Sequence, residues 1–337
     1  MNQTGATPGE LSARFLAVEE RLNRIIMGKE TLVRQFLVGL LARGHILLEG
    51  LPGLGKTQLV RALCELCSLE WKRIQFTPDL MPLDITGSHI LRDRDGARDF
   101  EFRPGPVFAN LVLADEINRA SPKTQSALLE AMQERRVTVL GTMHPLPDPF
   151  LVMATQNPIE MEGTYPLPEA QLDRFLFKLD VKDVGADVLT DILIERGRGE
   201  LPAMEPILDH ASFLAALTAV EAIALARPVA GYIARLVRAT HADGGLALAK
   251  AIRHGASPRA ALAMAMASRA RAFLDRRTTV GFEDVNDVAL PVLRHRIVLD
   301  YSAKLDNVRP DDILREIMDQ VPELEKSTPS LIAERLA

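Results

Sequence analysis

The sequence predicts an α/β fold in the first part of the chain, followed by an all-helical domain. Short apolar runs of strand length alternate with helix-spaced segments as far as residue 180, which is typical of a parallel sheet covered by helices. A glycine-rich loop joins the first strand candidate to a helix candidate. From about Val184 onward the segments are rich in Ala and Leu, and none of them has the pattern of a strand. These observations predict a domain boundary near residue 185.

The glycine-rich loop is the most informative stretch of the chain. It has the sequence GLPGLGKT at residues 50–57 and fits G-x-x-x-x-G-K-[ST], a phosphate-binding pattern. It lies between the strand candidate 45–49 and the helix candidate 58–69, an arrangement that aims a positive helix N-terminus at phosphate. Glycines let backbone N–H groups turn toward a phosphate, Lys56 can reach its oxygens, and the Thr57 hydroxyl can bind Mg²⁺. The loop therefore predicts a nucleotide site.

The other elements follow the same periodicities. Before the loop, helices are predicted at 11–26 and 31–41, with a turn at Ile26-Met27-Gly28 between them. After the loop, strand candidates lie at 72–77, 110–114, 150–155 and 175–180, and two β-hairpin insertions at about 85–103 and 136–149. Helices are predicted at 121–135, 209–222, 228–240, 258–274 and 282–290. The predicted domains are a disordered tail at 1–10, an α/β domain at 11–185 and a helical domain at 186–337.

Polar side chains follow two of these strand candidates directly. Asp115 and Glu116 come after the apolar run at 110–114, and Asn157 comes after the run at 150–155. In α/β sheets this carboxyl edge holds the ligand, so beside a phosphate loop Asp115 suits the Mg²⁺ shell and Glu116 suits a general base. Without the loop they would be read as two solvated acids. Asn157 could position water or contact the γ-phosphate, although an Asn before Pro is also common in turns.

Bulk properties narrow the class of protein. The 337 residues carry a formal net charge of −5 and are 47% hydrophobic, which predicts a globular protein with no electrostatic footprint for nucleic acid. The first ten residues lack the pattern of a secretory signal, and no apolar run reaches the roughly 18 residues of a membrane span. Cys64 and Cys67 have C-x-x-C spacing, but without a second ligand pair they are interpreted as reduced core residues. We therefore expect a cytoplasmic protein.

Five motifs, in this order, closely resemble those of MoxR-type AAA+ ATPases. They are GLPGLGKT (50–57), LADEINRA (113–120), ATQNP (154–158), YPLPEAQLDRF (165–175) and GASPRA (255–260), and the later run PVLRHRI (291–297) is similar to the helical lid of that family. The likeness extends over nearly the whole chain from about residue 11. It implies a P-loop NTPase of AAA+ type, with a parallel five-stranded sheet sandwiched by helices, β-hairpin insertions and a C-terminal all-α lid domain.

The resemblance also implies a role for individual residues. Residues 50–57 would be Walker A, Asp115 with Glu116 Walker B, Asn157 sensor 1, Arg259 sensor 2, and Arg174 an arginine finger acting on the neighbouring subunit. Each arginine could also be an ordinary surface residue. The implied catalytic set is Lys56, Glu116, Asn157, Arg174 and Arg259, and the implied metal ligands are Thr57 and Asp115. The implied nucleotide-binding set is Ile26, Met27, Gly28, Gly50, Pro52, Gly53, Leu54, Gly55, Lys56, Thr57 and Gln58.

The activity that the resemblance implies is Mg²⁺-dependent ATP hydrolysis in a homo-oligomeric, hexameric ring. Such a ring would remodel or mature a client protein complex, or insert its metal or cofactor, together with a partner that carries a von Willebrand factor A domain. Three alternatives stay open at this point. They are the ATPase subunit of a metal-chelatase-like machine, a nucleic-acid translocase, against which the acidic pI argues, and a nucleotide-gated scaffold with negligible hydrolysis, against which the Asp115-Glu116 pair argues.

Overall fold

The chain divides into two compact units. One comprises Met1–Ile223 and Arg269–Thr278, and the other comprises Ala224–Ser268 and Thr279–Ala337. The structure is a computed structural model that describes residues 5–50, 55–94, 97–157, 163–181, 183–196, 204–242 and 251–324. The units part after Ile223, whereas the sequence predicts a boundary near residue 185.

The first unit is built on a parallel five-stranded sheet, as predicted. The strands along the chain are β1 (Ile46–Glu49), β2 (Trp71–Gln75), β3 (Gly87–Arg94), β4 (Ala97–Pro104), β5 (Leu111–Asp115), β6 (Arg136–Val139), β7 (Thr142–Pro145), β8 (Leu151–Gln156) and β9 (Phe177–Asp180). The sheet has the order β2-β5-β8-β1-β9, and β3-β4 and β6-β7 form the two predicted hairpins. The last strand begins two residues later than predicted because the Phe175 amide is bonded to the Leu172 carbonyl of the preceding turn.

Eight helices surround this sheet in the described part of the first unit. They are α1 (Pro8–Ile25), α2 (Glu30–Leu41), α3 (Lys56–Leu66), α4 (Pro82–Thr86), α5 (Pro122–Glu134), α6 (Glu169–Leu172), α7 (Ala186–Arg196) and α8 (His210–Glu221). The sequence predicts disorder through residue 10, but α1 begins at Pro8 because Thr7 and Glu10 form a capping box. Phe15 of α1 packs against Phe213 of α8, with ring centroids 5.6 Å apart. This contact places α8 in the first unit.

The second unit is helical, as predicted, with one small addition. Its elements are α9 (Arg227–Ala239), β10 (Ile252–His254), α10 (Pro258–Leu274, which ends in the first unit), α11 (Phe282–Leu293), β11 (Val298–Leu299), α12 (Tyr301–Leu305) and α13 (Pro310–Gln320). Strands β10 and β11 pair antiparallel, although the sequence analysis predicts no strand here. Helix α11 continues past Pro291, beyond its predicted end. Across the described ranges, every helix is too short or too polar to pass through a bilayer.

The two hairpins of the first unit are joined by an aromatic stack. Phe102 of β4 and His144 of β7 lie face to face, with ring centroids 3.8 Å apart and planes inclined by 16°. His89 of β3 lies beside both rings, at 5.6 Å from Phe102 and 6.5 Å from His144. The hairpins are therefore packed against each other and are not two separate projections.

Both cysteines lie in the core of the first unit. Cys64 is on the inner face of α3, and Cys67 follows the last turn of that helix. Burial raises the pKa of both thiols, that of Cys67 to about 12, so neither forms a thiolate readily near neutral pH. Among the described residues, no group of three or more His, Cys, Asp or Glu side chains could hold a metal ion. The structure therefore supports the interpretation of these cysteines as core residues.

His45 ties the start of β1 to two neighbouring elements. Its Nε2 lies 3.2 Å from the Met132 carbonyl oxygen at the end of α5, and its Nδ1 accepts a hydrogen bond from the Val152 N–H of β8 at 3.0 Å. An acceptor at Nδ1 and a donor at Nε2 require the neutral ring. Burial lowers the pKa of His45 to about 4, from an ordinary value of 6.5. The fold therefore holds this histidine uncharged.

The neutral state of His45 predicts acid lability. Between pH 6.5 and pH 4 the unfolded chain binds a proton at this residue and the folded chain does not, so unfolding becomes easier as the pH falls. From about pH 7.5 to about pH 5 this linkage costs about 2 kcal/mol of unfolding free energy. The replacement His45→Gln should remove this part of the pH dependence, as measured by chemical denaturation across that range.

The slope with pH is the readout, because His45→Gln also removes two hydrogen bonds and lowers stability at every pH. His210→Gln, at an exposed histidine of the same unit, serves as the control and should keep the wild-type slope. If His45→Gln also kept the wild-type slope, the buried histidine would not be the source of acid lability.

Candidate functional site

The glycine-rich loop connects the end of β1 to the start of α3. Gly50 follows β1, and a Cβ on it would lie 2.8 Å from the Val181 carbonyl oxygen, so the close approach of the two chain segments requires glycine. Gly55 caps α3 with φ +76°, in the left-handed region that favours glycine. Pro52, Gly53 and Leu54, three predicted nucleotide-binding residues, lie outside the described residues. At both described ends of the loop the backbone therefore requires glycine.

Lys56, the first residue of α3, reaches back across the loop. Its Nζ donates a hydrogen bond to the Gly50 carbonyl oxygen at 2.8 Å. Burial lowers the pKa of Lys56, while the nearby carboxylates of Asp115 and Glu116 act in the opposite direction. The helix N-terminus adds a partial positive charge at the same place. Positive charge is therefore concentrated at this end of the cavity.

Asp115 and Glu116 lie at the carboxyl edge of the sheet, as the strand pattern predicts. Asp115 is the last residue of β5, and Glu116 has φ +56°, so the chain turns sharply between them. Thr155 of the neighbouring strand β8 connects the two acids. Its Oγ1 donates to Asp115 Oδ1 at 2.6 Å and accepts from the Glu116 N–H at 2.9 Å. One hydroxyl therefore holds both acids in place.

Strand β2 supplies two further partners of these acids, and Arg119 supplies a third. Arg73 Nη2 donates to Asp115 Oδ2 at 2.6 Å and to Gln75 Oε1 at 2.7 Å. Gln75 Nε2 in turn donates to Glu116 Oε2 at 2.8 Å, and Arg119 Nη1 contacts that same oxygen at 3.0 Å. A continuous chain of hydrogen bonds therefore runs from Asp115 through Arg73 and Gln75 to Glu116.

Sequence reasoning did not identify Thr155, Arg73 or Gln75 as site residues. Arg73 and Gln75 are two residues apart on one strand, so their side chains share a face, and this much is readable from the sequence. Their closeness to the acids follows from the pairing of β2 with β5, in which Gln75 lies opposite Asp115. The pairing of β5 with β8 likewise brings Thr155 close to the acids.

These groups surround one cavity of about 340 Å³ in the first unit. It is lined by Gly50, Gly55, Lys56, Thr57, Gln58, Arg73, Asp115, Glu116, Thr155, Gln156 and Asn157. The structure thus brings Asn157, at the end of β8, to the same cavity as the phosphate loop and the two acids. All the described loop residues that the sequence predicts for nucleotide binding are members of this set.

A second cavity, of about 300 Å³, lies where α1 ends and α2 begins. It is lined by residues 28–32, Gln35, Asp180, Val181 and Asp183. The predicted turn Ile26-Met27-Gly28 borders it through Gly28, whose φ is +70°. Ile26 also approaches the phosphate loop, since its Cδ1 lies 3.7 Å from the position that a Cβ would take on Gly55. The predicted turn is therefore adjacent to the loop.

The two remaining predicted residues are not part of either cavity. Arg174 is half-buried after α6, and its side chain makes no hydrogen bond or ion pair with residues that the structure describes. Arg259 is exposed in the first turn of α10, in the second unit. Their assigned roles stay predictions.

The hydrogen-bond donors and oxygen ligands of the first cavity fit a nucleoside triphosphate with a divalent cation. The glycine loop, Lys56 and the N-terminus of α3 offer donors and positive charge for phosphate oxygens. Among the described residues the Thr57 hydroxyl has no hydrogen-bond partner, so it is available as an oxygen ligand. Thr57 and the Asp115 carboxylate together offer the hard oxygen ligands that Mg²⁺ prefers. Two protein ligands would leave the other coordination positions of the ion to phosphate oxygens and water.

Two family models match this chain. The one described as "ATPase family associated with various cellular activities (AAA)" matches residues 45–177, and the one described as an AAA lid domain matches residues 246–317. The first match contains every residue that lines the 340 Å³ cavity. The second contains α10 and α11.

Similar proteins extend over nearly the whole chain. The YeaC protein of Bacillus subtilis is 45% identical over 303 residues, which span 90% of this chain and 92% of that protein. The chaperone MoxR1 of Mycobacterium tuberculosis is 44% identical over 89% of this chain and 80% of its own length. A crystal structure of a candidate ATPase from Cytophaga hutchinsonii superposes with a TM-score of 0.87 at 38% identity, over 94% of this chain and 96% of that one.

Proposed function

The chain belongs to the MoxR family of AAA+ ATPases, and on that basis we propose that it hydrolyses ATP in the 340 Å³ cavity and uses the energy to remodel partner proteins. One observation carries the proposal. The described ends of the glycine-rich loop, Lys56 and the two hydrogen-bonded acids line a single cavity at the carboxyl edge of the sheet. The experiments below test whether hydrolysis takes place there.

In this proposal the loop and α3 bind the triphosphate. Lys56 exchanges its hydrogen bond to the Gly50 carbonyl for phosphate oxygens, and the positive end of α3 faces the same charge. Thr57 and Asp115 would hold Mg²⁺, which would neutralise developing charge on the transferred phosphoryl group. The turn Ile26-Met27-Gly28 would contact the adenine, because it lies beside the loop.

Glu116 is the proposed general base. Its carboxylate accepts hydrogen bonds from Gln75 and Arg119, and its backbone is anchored by Thr155, so it is held at the mouth of the cavity. Asn157, at the adjacent strand end, would position the attacking water. Both groups then act on one water molecule beside the γ-phosphate.

Arg174 is the proposed arginine finger of a ring, hexameric as the family resemblance implies. A finger acts on ATP bound by the neighbouring subunit, so within its own chain it needs no partner. The half-buried Arg174 has none among the described residues, which supports this assignment.

The hairpins are the proposed contact with client proteins. Leu91 and Phe100 on β3-β4, and Leu140 and Met143 on β6-β7, expose large apolar side chains, with Leu140 83% exposed. Clusters of exposed apolar residues mark interaction surfaces. The family resemblance adds a partner with a von Willebrand factor A domain and a client complex that is matured or loaded with its cofactor.

Removing the base should separate ATP binding from ATP hydrolysis. We expect Glu116→Gln to bind ATP while turnover falls about 10²–10⁴-fold, the usual contribution of a general base. Lys56→Ala should lose binding itself. Fluorescent-nucleotide titration and phosphate release measure the two properties. The control Glu130→Gln changes an exposed acid of α5 and should leave both unchanged. Wild-type turnover in Glu116→Gln would show that another group activates the water.

A shared site predicts complementation between two inactive variants. Arg174→Ala should lose about 10³-fold in turnover while each subunit still binds ATP, as for other arginine fingers. Mixing Arg174→Ala with Glu116→Gln should restore part of the activity, because an intact site forms where a Glu116→Gln subunit donates its Arg174 to an Arg174→Ala subunit. The double variant mixed with Glu116→Gln should restore nothing. Failure of the first mixture, with rings formed, would mean that each site is self-contained.

A further inference from the structure

Arg73 occupies the carboxylate that the proposed metal ion would use. Its Nη2 and Nε lie 2.6 Å and 3.2 Å from Asp115 Oδ2. The other oxygen of Asp115 accepts the Thr155 hydroxyl at 2.6 Å, so in this structure both oxygens are engaged. The Arg73 guanidinium also places a positive charge beside the carboxylate oxygen that a Mg²⁺ ion would approach. Arg73 and a divalent cation at Asp115 would therefore repel each other and compete for Oδ2.

We infer that Arg73 is a built-in competitor of Mg²⁺, which must leave Asp115 before the metal can bind and which thereby sets the Mg²⁺ requirement of nucleotide binding. This role rests on the proposed nucleotide site. It makes Arg73 of β2 a residue that acts on metal binding through Asp115. Arg73 is not a catalytic residue in this account.

The surroundings of Arg73 allow it to leave Asp115 with a small loss of free energy. Its side chain is 48% exposed, so the guanidinium can turn toward solvent when it leaves Asp115. It also has a second acceptor, Gln75 Oε1 at 2.7 Å, which it can keep after it leaves Asp115. Asp115 itself is 18% exposed and is fixed by Thr155, so the cation moves and the carboxylate stays. The pair can therefore open and close reversibly.

The neighbouring residue provides a matched control. Lys72 on the same strand carries the same charge, is similarly exposed and pairs with Glu70 at 3.1 Å. Successive residues of a strand point to opposite faces of the sheet, so Lys72 does not approach Asp115. Arg73→Met and Lys72→Met thus remove the same charge from adjacent positions. Only the first removes the contact with Asp115.

The test measures how Mg²⁺ promotes binding of mant-ADP to the full chain at a fixed nucleotide concentration. We expect Arg73→Met to lower the half-saturating Mg²⁺ concentration about three- to tenfold, in keeping with the strength of a partly exposed ion pair. The readout is the ratio of the mant-ADP affinities with Mg²⁺ and in EDTA, which separates an effect on the metal from an effect on the nucleotide alone. Lys72→Met should match wild type, and Arg73→Lys should lie between the two.

An unchanged or higher Mg²⁺ requirement in Arg73→Met would overturn the inference. So would a loss of mant-ADP affinity in EDTA with the Mg²⁺ dependence intact, since Arg73 would then be a phosphate ligand. Neither result touches the proposed function, which stands as long as Lys56→Ala abolishes binding. Absence of nucleotide binding in wild type, with and without Mg²⁺, would overturn both.

Discussion

The parallel pairing of β5 with β8 and of β8 with β1 is the constraint on which the rest of the site depends. Parallel strands that are neighbours end at the same edge of the sheet. The phosphate loop after β1, the acids at the end of β5 and Asn157 after β8 therefore lie close together at that edge. Thr155 then fixes the two acids from the middle strand. A slip of either pairing by one residue would turn every side chain of the slipped strand to the opposite face and dismantle the site.

The charges of the cavity are balanced inside the protein. Asp115 pairs with Arg73, and Glu116 pairs with Arg119, so both acids are compensated by arginines from the same unit. Lys56 is held by a backbone carbonyl and is buried enough for its pKa to be lowered. A partly desolvated cation that lacks a carboxylate partner gains most from an incoming anion. In the proposed function, ligand binding would be an exchange of hydrogen-bond partners within this network.

The sequence predicted the local features of this site and missed those that depend on strand order. The loop, its helix and the acids after β5 are encoded in contiguous stretches, and each was predicted from its own pattern. Thr155, Arg73 and Gln75 come to the acids across the sheet, and no local pattern states that β2 lies next to β5. The sequence does not predict the short pair β10-β11 for a different reason, because strands of two or three residues carry too little periodicity.

The stack of Phe102 on His144 has a mechanical consequence for the first unit. One hairpin leads directly into β5 and the other into β8, so the stack closes a second connection between the two strands that carry Asp115, Glu116 and Asn157. A displacement of one hairpin must therefore either carry the other hairpin with it or break the stack. The two hairpins are therefore coupled to each other, and they precede the two strands that end at the cavity.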